Sequence, residues 1–315
     1  MPEKPEKIGG AAPRERAESA AALYEGAYGA LEETPKQKSQ FLEILKRMSY
    51  SKVNVICLAI VLFFGLVAVL APLIAPYGYA DMVAQPFLRP SAAHLFGTDN
   101  LGRDVLSRVM HGAKYSIGLG LAATGVSLAF GMFLGAIAGY YGGKVDDLLM
   151  RFCDIIQSIP GLLLNMALCV AFGTGVANTI FALGVGGIAA SARLMRSSFL
   201  NLRKAEFVDA ARSISCSDAR IISRHIIPNA FAPVLVQTTM NIGAVIMTAA
   251  GLNFLGLGVQ APRPEWGALL SGGRDFIRKA PWLCIFPGCC ILVLVLSLNL
   301  VGDGLRDAMD PKLKK

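Results

Sequence analysis

"EFVDAARSISCSDARIISRHIIPN", residues 206–229, is a charged stretch with helical patterning set between apolar segments. Phe207, Ala210, Ala211 and Ile214 recur at i, i+3, i+4 and i+7, which makes a narrow apolar stripe with two alanines at its centre. Glu206, Asp209 and Arg212 flank the stripe on its polar side. A second helix is expected from Ser217 as N-cap, with Asp218 in its first turn, where a carboxylate suits the positive end of the helix dipole. Pro228 then marks the entry to the next apolar segment. Small residues on an exposed, charge-rimmed helix suit insertion into a cleft on another protein. A helix resting on anionic lipid would prefer bulky apolar residues and basic flanks.

Outward from this stretch the chain is a membrane protein. Of its 315 residues 54% are hydrophobic and only 17% charged, outside the usual range for soluble domains. Residues 53–75, "VNVICLAIVLFFGLVAVLAPLIA", carry no charge and would rise about 35 Å as a helix, enough for a hydrocarbon core of about 30 Å. Residues 115–139, 230–259 and 283–301 are read as spans in the same way, and Pro72 and Pro76 are expected to close the first. Between 145 and 198 the apolar runs are shorter and end in charges that can snorkel. They read as helices 3 and 4 of a hairpin, for six spans in all.

The net charge of +8 follows orientation and does not point to nucleic acid. With the N-terminus taken as cytoplasmic, one side of the membrane collects Lys46, Arg47, Lys52, Lys144, Arg151, Arg193, Arg196, Arg203, Lys204 and the basic residues of both tails. The other side holds the smaller set that includes Arg89, Arg103, Arg263 and Arg278, which satisfies the positive-inside rule. Residues 206–229 then face the cytoplasm. Residues 1–48 read as a polar, disordered tail with a short helix at 17–33, residues 49–305 as the transmembrane domain, and 306–315 as a second cytoplasmic tail. About 50 polar residues precede the first apolar run, so the first span is expected to be an uncleaved anchor.

Four further patterns bear on packing and transport. Within "LGRDVLSRVMHG" (101–112), Leu101, Val105, Leu106 and Val109 share a face and Asp104 and Arg108 stand at i,i+4, which predicts a short helix along the outer membrane surface. Gly131, Gly135 and Gly139 at four-residue spacing leave a strip for close helix approach. Asp147, Arg151 and Asp154 form a charged stripe at the start of helix 3 that should face protein or water near the cytoplasmic mouth. Gln237, Asn241 and Thr248 project within about 40° of one another on helix 5. Such a polar strip either lines a water-filled path or bonds to neighbouring helices. Trp266, after the Gly- and Pro-rich turn of 256–264, is expected at the outer interface.

Taken together, several long motifs resemble a known family in their order along residues 40–311. The 206–229 stretch resembles the coupling-loop signature, E-A-A then G then I-x-L-P, of the integral membrane subunits of ABC importers. "HLFGTDNLGRDVLSRVMHGA", "GYYGGKVDDLLMRFCDIIQSIP", "LNFLGLGVQAPRPEWGALL" and "FPGCCILVLVLSLNLVGDGLRDAMDP" resemble the C-type permease of the dipeptide, oligopeptide and nickel subfamily. The resemblance implies an all-α permease of six transmembrane helices in a bacterial or archaeal inner or plasma membrane, with a cytoplasmic coupling-helix loop between helices 4 and 5. It implies as partners a homologous B-type permease, two cytoplasmic ATP-binding subunits that use ATP and Mg, and an extracytoplasmic substrate-binding protein. Glu206, Phe207, Asp209, Ala210, Ala211, Arg212, Ile214, Ser215 and Pro228 would then form the ATPase-coupling site, with Asp209, Ala210 and Ala211 at the E-A-A positions. Ser215 stands where the family has Gly, at a turn where Gly would allow positive φ without strain.

The chain carries no ATP-hydrolysing motif of its own. Its nearest approach to a P-loop, "AGYYGGKV", has Ala138 for the first Gly and Val145 after Lys144. His94, His111 and His225 are too scattered to suggest a metal site, and neither H-E-x-x-H nor G-x-S-x-G occurs. No cofactor is expected on this chain, and it is not read as an enzyme. An ion-gradient-driven transporter or channel would predict internal repeats and an ionisable residue near mid-span, and the sequence offers neither.

Overall fold

The computed structural model describes residues 47–309. Nearly all of the expected N-terminal tail, including the helix at 17–33, lies outside the described residues, as do residues 310–315. Ten helices make up the described chain, and no β-strand occurs among these residues beyond the isolated bridges Met82 to Arg103 and Thr98 to Asp104. The helices are α1 (Lys52–Ile74), α2 (Val105–Tyr141), α3 (Gly143–Ser158), α4 (Gly161–Phe172), α5 (Val176–Leu202), α6 (Glu206–Ser213), α7 (Asp218–Arg220), α8 (Ile227–Phe254), α9 (Trp266–Arg274) and α10 (Trp282–Met309). A π-helical turn, Ile221–Ile226, joins α7 to α8.

Among the described residues five helices, α1, α2, α5, α8 and α10, are long and apolar enough to cross a membrane, and six spans result if α3 and α4 count as one bent pair. That pair is bent by 85°. The break falls at Ile159 and Pro160, where the proline ring disfavours a helical residue before it and removes a backbone donor. Helix 3 is therefore a broken element. The first span continues through Pro72 to Ile74, and the last runs to Met309, so residues 306–309 are helical.

The segment 101–112 is not a separate surface helix. It leads directly into α2, which is 37 residues long and so about 55 Å, well beyond a hydrocarbon core of about 30 Å. Asp104 is the N-cap, accepting from the backbone N–H and hydroxyl of Ser107 at 2.8 and 2.7 Å and meeting His94 Nδ1 at 2.9 Å. Its carboxylate is thus occupied at its own helix start and does not pair with Arg108. Arg108 instead lies 3.6 Å from Asp99 and donates to the Tyr79 carbonyl at 2.8 Å. Val105 and Val109 are buried in a cluster with Ala280, Trp282 and Leu283, so the two valines of the face that suggested a membrane surface are covered by the protein itself, while Leu101 stays exposed and Leu106 is half-buried.

Helices α2 and α5 run parallel in close contact, as the order of their contacts shows. A Cβ at Gly131 would lie 2.4 Å from Ser191 Cβ, at Gly135 2.2 Å from the Ala192 carbonyl oxygen, and at Gly139 2.5 Å from Phe199 Cβ. The glycine strip is a helix-packing device. Helix α8 returns antiparallel to α10, with Gly302 against Met240 and Gly243 against Asn299, and Gly304 meets Asn54 at the start of α1. The start of α1 and the ends of α2, α5 and α10 therefore share the end of the bundle that carries residues 206–229.

At the opposite end Trp266 is fully buried, contrary to an interfacial position. Its Nε1 donates to the Val109 carbonyl at 2.8 Å and its ring meets Phe64 edge-on at 5.6 Å. Glu265, the N-cap of α9, accepts from the Ser116 hydroxyl at 2.8 Å and the Ala268 N–H at 3.0 Å. The turn after α8 folds back into the bundle because these polar groups, some 150 positions apart, satisfy one another where no water reaches.

Candidate functional site

Residues 206–220 form a compact pair of helices, α6 and α7, at one end of the bundle. Glu206 and Asp209 lie in the first turn of α6 and Arg212 in its last, each favourably placed against the helix dipole, and Asp209 and Arg212 approach to 3.8 Å on an exposed face. What holds α6 down is a short apolar contact. Val208 is fully buried and Ala211 nearly so, in one cluster with Tyr140, Met195, Phe199, Ile221 and Ile226.

This burial rotates the stripe read from the sequence. Ala211 belongs to the inward face with Val208, whereas Ala210 is exposed and Phe207 and Ile214 stand out from the body of the chain, 38% and 76% exposed. The free face is therefore Phe207, Ala210 and Ile214, rimmed by Glu206, Asp209 and Arg212. Of the stripe's four members only Ala211 is withdrawn, because Val208, one turn back on its side, is the residue that plugs the core.

Ser215 is left-handed, with φ +58°. The helix ends in a Schellman arrangement, in which Cys216 N–H donates to the Ala211 carbonyl at 3.1 Å and Ser215 N–H to that of Arg212 at 2.9 Å. The turn thus has the backbone a glycine would adopt, on a residue that pays for its Cβ. Ser217 occupies the N-cap of α7 with no side-chain cap bond, and the Asp218 carboxylate accepts instead from the Tyr140 hydroxyl at 2.5 Å.

Pro228 does not interrupt the chain. Residues from Asp218 to Phe254 stay helical, with the π turn in front of the proline, where the Ile227 N–H bonds back to the Ile222 carbonyl. The wider turn relieves the clash that a proline ring makes with the carbonyl four residues earlier and absorbs its missing donor.

The polar strip on α8 divides. Gln237 and Asn241 line a cavity of about 180 Å³ with Thr238, with Thr124 and Leu128 of α2, and with Ala190, Ser191 and Leu194 of α5. Thr248 is not on it, and its hydroxyl donates to the Ala244 carbonyl at 2.9 Å. Thr124 is buried, and its hydroxyl oxygen makes no hydrogen bond. Thr124, Ser191 and Thr238 escaped the sequence reading because each is a small residue whose relevance appears only when three helices meet.

The charged stripe on α3 is also rephased. Asp147 and Arg151 are exposed, and Arg151 reaches Asp154 at 3.9 Å. Asp154 bonds Arg193 of α5 at 2.7 Å, and Arg193 also donates to Gln157. The buried acid is Asp146, which both Nε and Nη2 of Arg196 grip in a two-pronged pair. Adjacent aspartates at 146 and 147 gave no hint in sequence of which would face α5. Among the described residues no group of three or more His, Cys, Asp or Glu could hold a metal ion.

The family described as binding-protein-dependent transport system inner membrane component matches residues 131–315, and the N-terminal TM domain of oligopeptide transport permease C matches residues 39–90. The dipeptide transport system permease protein DppC of Alkalihalophilus pseudofirmus is 43% identical over 277 residues, 88% of this chain and 91% of that one. The glutathione transport system permease protein GsiD of Escherichia coli is 44% identical over 256 residues, 81% of this chain and 84% of that one. Among solved structures, an inward-facing MetNI methionine ABC transporter superposes with a TM-score of 0.54 at 16% identity, over 65% of this chain and 98% of that one, a likeness of fold.

Proposed function

This chain belongs to the family of binding-protein-dependent transport system inner membrane components, and from that premise we propose how its two sites share the work. It is a multi-pass inner membrane protein, the permease subunit of an ATP-driven importer, and works in a complex with another permease and ATPase subunits. Its part is transport, and the family is not enzymatic.

In our reading α6 is the helix that docks on an ATPase subunit, through Phe207, Ala210 and Ile214, with Glu206, Asp209 and Arg212 as the charged rim. Ser215 sets the turn, and Pro228 lies where the element passes into α8. Ala211 contributes by holding α6 to its own bundle. The observation that carries this reading is the exposure of Phe207 and Ile214 on a short helix whose other face is sealed, since an apolar face with a charged rim calls for a protein partner. Residues 206–229 and both termini lie on the cytoplasmic side in this reading, which the distribution of Lys and Arg supports.

Gln237 and Asn241 line the solute pathway, and their place on a cavity with Thr124 and Ser191 supports that role. Uncharged hydrogen-bonding groups suit amide-bearing solutes, and relatives named for dipeptide and glutathione transport support short peptides as the substrate class. Asp147, Arg151 and Asp154 belong to the cytoplasmic mouth. The complex comprises a B-type permease, two ATP-binding subunits that use Mg-ATP, and an extracytoplasmic substrate-binding protein that selects the solute. For the partner to drive reorientation it must bind the two states with different affinity.

The test is Ala210→Arg in the assembled complex. The variant is expected to fold and insert normally, to lose the copurifying ATPase subunits, and to abolish ATP-dependent peptide uptake into vesicles. Normal copurification and uptake would overturn the docking assignment.

A further inference from the structure

Tyr140, the penultimate residue of α2, is 7% exposed, and its ring lies in the buried cluster that holds Phe199, Val208, Ala211 and Ile221. Its hydroxyl leaves that cluster and donates to Asp218 Oδ1 at 2.5 Å, across 78 positions of chain. The Arg212 guanidinium stands 5.8 Å from the ring centroid, within reach of a cation–π contact. One side chain of α2 therefore touches both α6 and α7. A second tie lies beside it, where Arg203 Nη1 donates to the carbonyls of Gly139 and Tyr140 at 3.2 and 3.4 Å.

Helix α6 has eight residues, too few to be stable alone, and it is joined to its neighbours by the short links 203–205 and 214–217. Only Val208 and Ala211 are buried on it. A helix so attached can pivot when pushed, and a pivot would dissipate the push. The contact that opposes it is on the far side of the element, where the exposed Asp218 is bound to α2. Helix α2 is in turn locked to α5 along the glycine strip, and these two helices supply most of the wall of the polar cavity.

We propose that Tyr140 is a positioning residue for energy coupling: its bond to Asp218 straps the 206–220 element to the end of α2, so that displacement of α6 carries the α2–α5 pair with it. The strap rests on the reading of α6 as the ATPase-docking helix. It adds to that reading the route by which force reaches a helix not adjacent to the docking element in the chain.

Hydrogen–deuterium exchange on the assembled importer tests this without knowledge of the solute. In the wild-type complex, trapping with Mg-ATP and vanadate is expected to change exchange both at 206–220 and at 132–141. In Tyr140→Phe, which keeps the ring face beneath Arg212 and leaves the Arg203 tie in place, the change at 206–220 remains and that at 132–141 is reduced. Asp218→Ala, made from the exposed side, gives the same result and stands in if the tyrosine variant fails to fold. Asp218→Asn, whose amide oxygen accepts the same bond, restores the wild-type response. A response at 132–141 that is undiminished in both Tyr140→Phe and Asp218→Ala overturns the strap. If the wild-type complex shows no nucleotide response at 206–220, the docking reading itself fails and the strap falls with it.

Discussion

Ala210 and Ala211 are neighbours in the chain that project about 100° apart on α6, the first to solvent and the second, 5% exposed, into the cluster around Phe199 and Val208. Leucine at each position separates the two roles. Ala211→Leu inserts volume into a packed core and is expected to destabilise the protein by about 1–3 kcal/mol, visible as a lower melting temperature in detergent. Ala210→Leu meets open solvent and should leave the melting temperature unchanged while weakening recovery of the ATPase subunits. Equal effects of the two on melting would contradict the orientation of α6.

Ser215 carries a left-handed backbone at the end of α6, in the position a Schellman turn usually gives to glycine. Relief of the Cβ clash favours glycine by about 1–2 kcal/mol, offset in part by the about 0.4–1 kcal/mol that a more flexible unfolded chain costs. Ser215→Gly is therefore expected to steady the end of α6, with amide exchange across 206–216 slowed about threefold, as a net gain of about 0.6 kcal/mol implies. Faster exchange there would show that the serine's hydroxyl or its reduced freedom matters more than its strain.

The membrane spans were legible because each is a run of uncharged residues as long as a bilayer is thick, and the weakness of helix 3 was visible in its short apolar run before it proved to be a bend at Pro160. The phase of α6 was not, since a helix that serves both its own bundle and a partner carries an apolar arc wider than either contact needs, here about 160° from Ala210 round to Val208. Val208 decided the phase, and the stripe through Phe207 and Ile214 passed it over. The rule that places tryptophan at membrane interfaces failed for Trp266 because its partners, Val109 and Phe64, lie far away in the chain. The cavity was half visible, as the period of Gln237 and Asn241 on one helix, while Thr124 and Ser191 lie on two others.

The parallel contact of α2 and α5 depends on the absence of side chains at three positions. At Gly135 an added Cβ would fall 2.2 Å from the Ala192 carbonyl oxygen and 2.8 Å from Met195 Cβ, whereas at Gly118 and Gly125 it would meet nothing within 4 Å. Alanine gains about 1 kcal/mol over glycine in helix propensity, so Gly118→Ala and Gly125→Ala should be neutral or mildly stabilising. Gly135→Ala must push two backbones apart and is expected to lower stability by about 1–3 kcal/mol despite the same gain. Thermal unfolding of the three variants side by side checks this, and a Gly135→Ala protein as stable as the other two would mean that α2 and α5 are not in contact there.

Burial pushes the Glu265 carboxyl above the usual carboxylate range, against the pull of its hydrogen bonds from Ser116 and the backbone N–H groups of 266–268. The raised value means that the folded protein holds this proton more tightly than the unfolded chain, whose glutamates titrate near ~4.3. The stabilising contribution is then complete below the unfolded value and is lost as pH rises through the folded one. Glu265→Gln keeps an acceptor for Ser116 or Ala268 and removes the titration. The variant is expected to melt below or level with the wild type at about pH 5 and to have gained on it by about pH 9, because only the wild type must bury a charge or bind a proton. Melting temperatures of the two proteins measured across that range at constant salt give the result, and a difference that does not change with pH would mean that Glu265 titrates alike in the folded and unfolded chain.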